Sequence, residues 1–169
     1  MITWLIGMSG AGKTTIGKVV YNNLKQKMDN LIFLDGDDFR EIFGNDLGHN
    51  IEDRKKNADR ICRICHLLDK NNINVICCIL SIFEESREWN RNNFNSYKEV
   101  YLKVPLTELE RRDTKGLYKG GREGEIENVV GYDIPFEEPQ KPTLTIDNSG
   151  TKSVEEIAAI IEAHILEGR

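Results

Sequence analysis

A glycine-rich stretch near the start of the chain has the residue types and spacing of a phosphate-binding loop. Residues 7–14, GMSGAGKT, fit the pattern G-x-x-x-x-G-K-[ST]. Glycines let the backbone curl around an anion, so that its N–H groups and the positive end of a following helix point at the phosphates. A glycine-rich turn that only links strand to helix is the competing interpretation. The predicted phosphate-binding residues here are Gly7, Ser9, Gly10, Ala11, Gly12, Lys13, Thr14 and Thr15.

Two carboxylates follow the second apolar run of the chain, residues 31–34. Open α/β sheets bind ligands at the carboxyl ends of their strands, where Asp35 and Asp37 are expected to lie. Both are candidates for Mg²⁺ ligation through water, with Thr14 as the direct ligand, and for accepting a proton from a substrate hydroxyl. A helix N-cap is the alternative role for Asp37, and more so for Asp38.

Two groups of basic residues could meet a second anionic ligand. Arg54, Asn57 and Arg60 are spaced to lie near one face at the start of a helix, although such a face is more often simply solvated. The second group lies between residues 111 and 122. The stretch from about 111 to 142 has no strong periodicity, which favours a lid over bound phosphates; a solvated connector is the alternative.

Apolar patterning predicts the elements that position these residues. We expect strands over residues 2–6, 31–34, 74–80, 99–104 and 143–147, with the unbroken apolar run at 74–80 marking a central parallel strand. Helices are predicted over residues 14–24, 52–72, 83–93 and 106–112, with a last one capped from Ser153. The alternation of strands and helices predicts an α/β fold.

Length and composition exclude several classes of protein. A chain of 169 residues with 39% hydrophobic and 30% charged residues suits one globular domain over residues 1–169. The net charge of −5 argues against a general nucleic-acid or membrane-surface binder. Without a leader pattern or a membrane-spanning run, we expect a cytoplasmic protein.

The four cysteines include a C-x-x-C-H pattern at residues 62–66, which can mean haem attachment. Cys62 and Cys65 fall at helical spacing with Ala58, Ile61 and Leu68, which indicates the apolar stripe of a helix instead. We therefore expect reduced, buried thiols, neither a haem nor a zinc site.

Taken together, these motifs closely resemble those of the adenylylsulfate kinase family over nearly the whole chain. The resemblance rests on the loop at 7–14, Asp35-Gly36-Asp37 with Arg40, Asp46-Leu47-Gly48, Asp53-Arg54 with Asn57 and Arg60, the stretch KGLYK at 115–119, and Gly131-Tyr132-Asp133. It implies a P-loop kinase fold with a five-stranded parallel sheet flanked by helices, and a homodimer.

The resemblance also implies a reaction, the transfer of the γ-phosphoryl group of ATP to a ribose 3′-hydroxyl. Lys13 and Thr14 would serve ATP and Mg²⁺, Asp37 would orient or deprotonate the hydroxyl, with Asp35 beside it, and Arg111 and Arg112 would also meet ATP. The acceptor side would comprise Arg40, His49, Arg54, Asn57, Leu80, Ser81, Lys115, Gly116, Leu117, Lys119 and Val129.

Two departures from the family pattern affect the acceptor. Members usually hold the acceptor's adenine between two phenylalanines, and this chain has His49 and Val129 at those positions. Each base–aromatic stack is worth about 1 to 3 kcal/mol, so a smaller base becomes plausible. The usual Ser-Pro-Tyr is also changed, to Ser81-Ile82-Phe83.

Within the family, the chain is therefore most similar to cytidine diphosphoramidate kinases of capsule biosynthesis. We expect a small-molecule nucleotide as acceptor, with cytidine 5′-diphosphoramidate favoured. Adenylylsulfate, stacked on His49, is one alternative. A non-catalytic ATP-binding switch is the other, and the presence of Asp35, Asp37 and the lid cations argues against it.

Overall fold

The computed structural model describes residues 1–167, which contain one sheet of five parallel strands. Its spatial order is β2-β3-β1-β4-β5, so the predicted five-stranded parallel sheet is confirmed. The strands are β1 (Ile2–Ile6), β2 (Leu31–Asp35), β3 (Asn74–Ile79), β4 (Tyr97–Lys103) and β5 (Leu144–Asp147). The second strand lies at an edge of the sheet and is half-buried over residues 32–34.

Helices connect the strands and cover both faces of the sheet. They are α1 (Lys13–Leu24), α2 (Gly36–Ile42), α3 (Ile51–Lys70), α4 (Glu84–Asn93), α5 (Leu106–Arg111), α6 (Leu117–Glu123) and α7 (Val154–Leu166). The capping box that predicted the last helix is present, because the Ser153 hydroxyl accepts from the Glu156 N–H and the Glu156 carboxylate accepts from the Ser153 N–H. No helix among residues 1–167 is long and apolar enough to cross a membrane.

Alternating side chains of the central strand β1 divide the core into two clusters. Ile2, Trp4 and Ile6 pack with α3, whereas Leu5 faces the opposite cluster, to which α1 and α7 contribute. This alternation places β1 between two helical layers. The loop at residues 7–12 directly follows β1 and therefore lies at the carboxyl edge of the sheet.

The cysteines behave as small hydrophobic side chains. All four are free and buried, and Cys62 and Cys65 belong to the cluster between α3 and the sheet. Burial raises the pKa of the Cys62 thiol to about 12 and that of Cys77 well above its ordinary value. These groups therefore stay protonated at neutral pH, as expected of structural cysteines.

The predicted loop at 111–142 is not free of regular structure, and this part of the prediction is wrong. It contains the helix α6, whose start is fixed by the Asp113 carboxylate, which accepts from the N–H groups of Leu117, Tyr118 and Lys119 at 2.7–3.0 Å. Gly120 and Gly121 weaken the helical signal of the sequence, which is why the pattern did not reveal it.

Candidate active site

A cavity of about 680 Å³ opens at the carboxyl ends of the strands, between the phosphate-binding loop, the starts of α2 and α3, and the segment 111–142. The structure brings most of the predicted site residues to its walls. These are Ser9, Gly10, Gly12, Lys13, Thr14, Thr15, Asp35, Asp37, Arg40, His49, Arg54, Asn57, Leu80, Ser81, Arg112, Lys115, Leu117 and Val129. Five predicted residues are not among the lining residues, namely Gly7, Ala11, Arg111, Gly116 and Lys119.

The backbone of the loop has the conformation that an anion cradle requires. Gly10 and Gly12 have φ values of +76° and +86°, in the left-handed region that favours glycine. Asn148, which is far from the loop in the sequence, helps to hold it in place, because its side-chain amide donates to the carbonyl of Ala11 at 2.9 Å. This residue was missed by the sequence analysis, since nothing local connects two positions so far apart in the chain.

The Lys13 ammonium donates to the carbonyl of Met8 at 2.9 Å, across the loop. Burial lowers the pKa of Lys13, and the nearby Cys78, Asp35 and Asp37 act in the opposite direction. A cation held above a ring of backbone N–H groups provides the positive charge that bound phosphates need.

Asp35 connects the loop to the second helix. Its carboxylate accepts from the Thr14 hydroxyl at 2.6 Å and from the Asp37 N–H at 3.0 Å, so Asp35 is the N-cap of α2. The capping role considered for Asp37 and Asp38 therefore belongs to Asp35. Asp37 lies in the first turn of α2 with an exposed side chain on the cavity wall, where it can meet a substrate hydroxyl.

Two arginines shape the other end of the cavity by binding backbone carbonyls. Arg40 donates to the carbonyls of Leu47 and Gly48, both at 3.0 Å. Arg54 donates to His49 at 2.6 Å and to Asn128 at 2.9 Å, which ties the loop before α3 to the segment 111–142. These contacts hold two guanidinium groups at one wall, where an anionic ligand would meet them.

His49 lies on the wall beside these arginines. Burial lowers the pKa of its imidazole, and the positive charges of Arg40 and Arg54 lower it further. The ring is therefore predominantly neutral at pH 7 and above.

Arg60 does not join Arg54 and Asn57 on the cavity wall, so of the two interpretations considered for this helix face the ligand-binding one does not extend to Arg60. Its guanidinium forms two hydrogen bonds of 2.8 Å with Asp46, outside the cavity. Six residues, or about 1.7 helical turns, beyond Arg54, the side chain reaches the loop before α3 and not the cavity.

The segment 111–142 lies over the phosphate-binding loop. The Tyr118 hydroxyl donates to the Ser9 carbonyl at 2.7 Å, and the ring is only 2% exposed. Lys115 and Leu117 line the cavity beside it. We call residues 111–142 the lid from here on. Tyr118 was not among the predicted site residues, although it lies within the motif KGLYK that suggested a lid.

The two arginines at the base of the lid are placed differently. Arg111 is exposed and pairs with Glu108 at 2.7 Å, away from the cavity. Arg112 lines the cavity, pairs with the same carboxylate at 2.6 Å and donates to the carbonyl of Asn148 at 2.8 Å. The two guanidinium groups lower the pKa of Glu108 to about 2. Arg112 is thereby linked through Asn148 to the phosphate-binding loop.

Val129 contributes little surface to the cavity. It is 1% exposed and packs in the lid against Gly121, where an added Cβ would lie 3.0 Å from the Cβ of Val129. No room exists there for a larger residue at position 121 without a shift of the lid.

Several known kinases are similar to this chain. The family model described as adenylylsulphate kinase matches residues 1–147. A cytidine diphosphoramidate kinase of Campylobacter jejuni is 41% identical over 163 residues, covering 95% of this chain and 93% of its own. An adenylyl-sulfate kinase of Picosynechococcus is 42% identical over 141 residues, covering 83% of this chain and 80% of its own.

Among solved structures, the Mycobacterium tuberculosis APS kinase CysC in complex with AMPPNP and APS superposes with a TM-score of 0.87. It is 30% identical, and the match covers 97% of this chain and 96% of that one. The chain belongs to the adenylylsulphate kinase family and is an ATP-dependent kinase of the P-loop fold.

Proposed function

We propose that this kinase transfers the γ-phosphoryl group of ATP to the ribose 3′-hydroxyl of cytidine 5′-diphosphoramidate. The observation that carries the choice of base is the nature of the residues at positions 49 and 129. The family resemblance expects two phenylalanines to hold an adenine there, whereas this chain has a histidine and a buried valine. A smaller pyrimidine base needs less aromatic surface than adenine does.

On the donor side, the loop N–H groups and Lys13 bind and orient the nucleotide phosphates. Thr14 and Asp35 supply hard oxygen donors 2.6 Å apart beside the loop, which suits Mg²⁺. Within residues 1–167, no group of three or more acidic, histidine or cysteine side chains is placed to hold a metal. A Mg²⁺ ion held by Thr14, and by Asp35 through water, would also bind the substrate phosphates and neutralise their charge.

On the acceptor side, Asp37 orients the 3′-hydroxyl and accepts its proton. Arg40 and Arg54 bind the negatively charged 5′-substituent, and Asn57 lies on the same wall. Arg112 and Lys115 of the lid face the transferred group and help to exclude water. Positioning and charge neutralisation of this kind are the main requirements of phosphoryl transfer.

Adenylylsulfate is the second candidate acceptor. It is favoured by the adenylyl-sulfate kinases among the relatives, since 42% identity in one of them is as close as 41% in the cytidine diphosphoramidate kinase. The neutral imidazole of His49 would then stack on the adenine in place of a phenylalanine.

A panel of cytosine and adenine nucleotides with Mg-ATP tests the proposal. The assay scores 3′-phosphorylated product and compares kcat/KM for cytidine diphosphoramidate and adenylylsulfate. We expect cytidine diphosphoramidate to be the better substrate. A clear preference for adenylylsulfate would reject the choice of cytidine, and ATP binding without transfer to any nucleotide would favour a non-catalytic switch.

The homodimer and the cytoplasmic location also belong to this proposal. Both rest on the sequence and its family resemblance. Light scattering on the purified protein tests the dimer, which requires a mass of twice 19.4 kDa.

A further inference from the structure

Ser81 adopts a backbone conformation that an L residue rarely takes. It follows β3 with a φ of +53° and is 6% exposed, at the point where the chain turns along the cavity. Leu80, Ile82 and Phe83 on either side of it also line the cavity. A left-handed non-glycine residue persists only where its surroundings hold it. The shape of this wall therefore depends on the contacts that keep Ser81 in place.

Two buried side chains from different elements supply those contacts. The indole Nε1 of Trp4, on β1, donates to the Ser81 hydroxyl at 2.9 Å. The guanidinium Nη1 of Arg87, on α4, donates to the Ser81 carbonyl. Trp4 is 1% exposed and Arg87 is fully buried, so neither contact competes with water.

Arg87 is itself fixed by two carboxylates. Its Nε donates to Glu84 at 2.8 Å, and Glu99 on β4 lies 4.0 Å away. Arg91 completes the network without contacting Ser81, since it donates to Glu99 at 2.7 Å and pairs with Glu84. Two arginines thus bind the same two carboxylates, but only one of them reaches the cavity wall.

We propose that Arg87 is a positioning residue that sets the acceptor-side wall of the active site by holding the Ser81 peptide. This rests on the proposed function, together with the family resemblance that places Leu80 and Ser81 on the acceptor side of the cavity they line. Arg87 lies behind the wall and acts through Ser81, with Trp4 as its partner on the opposite side. Among residues 1–167, no hydrogen bond or ion pair joins the loop at 7–14 to Trp4, Ser81 or Arg87, so the donor side should not respond to the loss of Arg87.

Arg87→Met and Arg91→Met form a matched pair of variants. Each removes one of two arginines from the same carboxylates, so both should lose stability, but only Arg87→Met frees the Ser81 carbonyl. We expect Arg87→Met to weaken acceptor binding about tenfold, in calorimetric Kd and in KM, with the KM for ATP unchanged. Arg91→Met should leave both constants near the wild-type values. Equal effects of the two variants on acceptor binding, or an equal loss of ATP affinity in Arg87→Met, would overturn the proposal.

Trp4→Phe provides a second variant if Arg87→Met does not fold. It removes the indole N–H and keeps an aromatic ring in the core, and we expect the same selective loss of acceptor affinity. Unchanged acceptor affinity in Trp4→Phe would count against the proposal.

If the wild-type protein phosphorylates neither nucleotide, the proposed function fails, and the positioning role is then read from a crystal structure of Arg87→Met or Trp4→Phe. A negative φ at Ser81 would support the role, and a retained positive φ would overturn it.

Discussion

Replacing His49 by phenylalanine tests the proposed choice of base directly. The ring of His49 lies on the cavity wall, and within residues 1–167 it has no hydrogen bond of its own. Its backbone is held separately, because Arg54 donates to the His49 carbonyl at 2.6 Å. The substitution therefore changes the surface offered to the base while the loop keeps its anchor.

The size of the effect follows from stacking alone. Burial and two neighbouring arginines lower the pKa of His49, so at pH 7.5 the imidazole is neutral and its replacement removes no charge. One base–aromatic stack is worth about 1 to 3 kcal/mol, which corresponds to about 5- to 150-fold in kcat/KM. Because an imidazole can itself stack on a base, this range is the upper limit of the gain. Adenine offers the larger stacking surface, so we expect His49→Phe to raise kcat/KM for adenylylsulfate within this limit and to change that for cytidine diphosphoramidate less.

Steady-state kinetics with both acceptors at saturating ATP measure this shift. Leu47→Phe is the matched control, since it places the same ring in the same loop but outside the cavity lining. The reasoning is refuted if His49→Phe changes kcat/KM for the two acceptors by the same factor, or if Leu47→Phe produces the same preference.

Four further substitutions test the remaining roles. Lys13→Ala removes the charge over the loop and should lower kcat by about 10²- to 10³-fold; near-native turnover would show that Lys13 has no such role. Asp37→Asn should lower kcat by about 10²- to 10⁴-fold with little change in the KM for ATP, measured under saturating acceptor. Tyr118→Phe deletes the 2.7 Å bond from the lid to Ser9 and should raise the KM for ATP by about 2- to 10-fold, with faster proteolysis within the lid; unchanged cleavage would argue against a lid contact. Val129→Phe should lower thermal stability by about 1 to 3 kcal/mol, because Val129 is already close-packed against Gly121; calorimetric unfolding at the wild-type Tm would contradict that packing.

The parts of the fold that follow from local sequence were predicted well. Apolar runs gave the five strands to within about two residues, because buried strands differ sharply from the polar turns around them. The loop at 7–14 was equally clear, since its glycines serve a backbone conformation that a pattern of residue types can record. The family resemblance implied the five-stranded parallel sheet, but the order of its strands was not predicted.

The sequence-based predictions failed where a contact joins residues far apart in the sequence, or where the local residue pattern allows more than one interpretation. The helix α6 depends on Asp113, which accepts three backbone N–H groups, and two glycines hide its period. Spacing made Arg60 only a candidate for a ligand beside Arg54 and Asn57, and its guanidinium pairs instead with Asp46 fourteen residues earlier. Asn148 supports the phosphate-binding loop across most of the chain, and no local pattern signals such a residue.

The acceptor side also explains why overall similarity does not identify the substrate. Its frame is held through backbone carbonyls, with Arg54 bound to those of His49 and Asn128, and Arg87 bound to that of Ser81. A carbonyl is present at every residue, so the side chains at positions such as 49 can change without loss of the frame that presents them. Relatives that carry different activities in their names can therefore be equally similar to this chain, at 41% and 42% identity. Under the proposed function, specificity depends on a few side chains that would face the base, and we expect substitutions at those positions, more than overall identity, to distinguish a cytosine from an adenine acceptor.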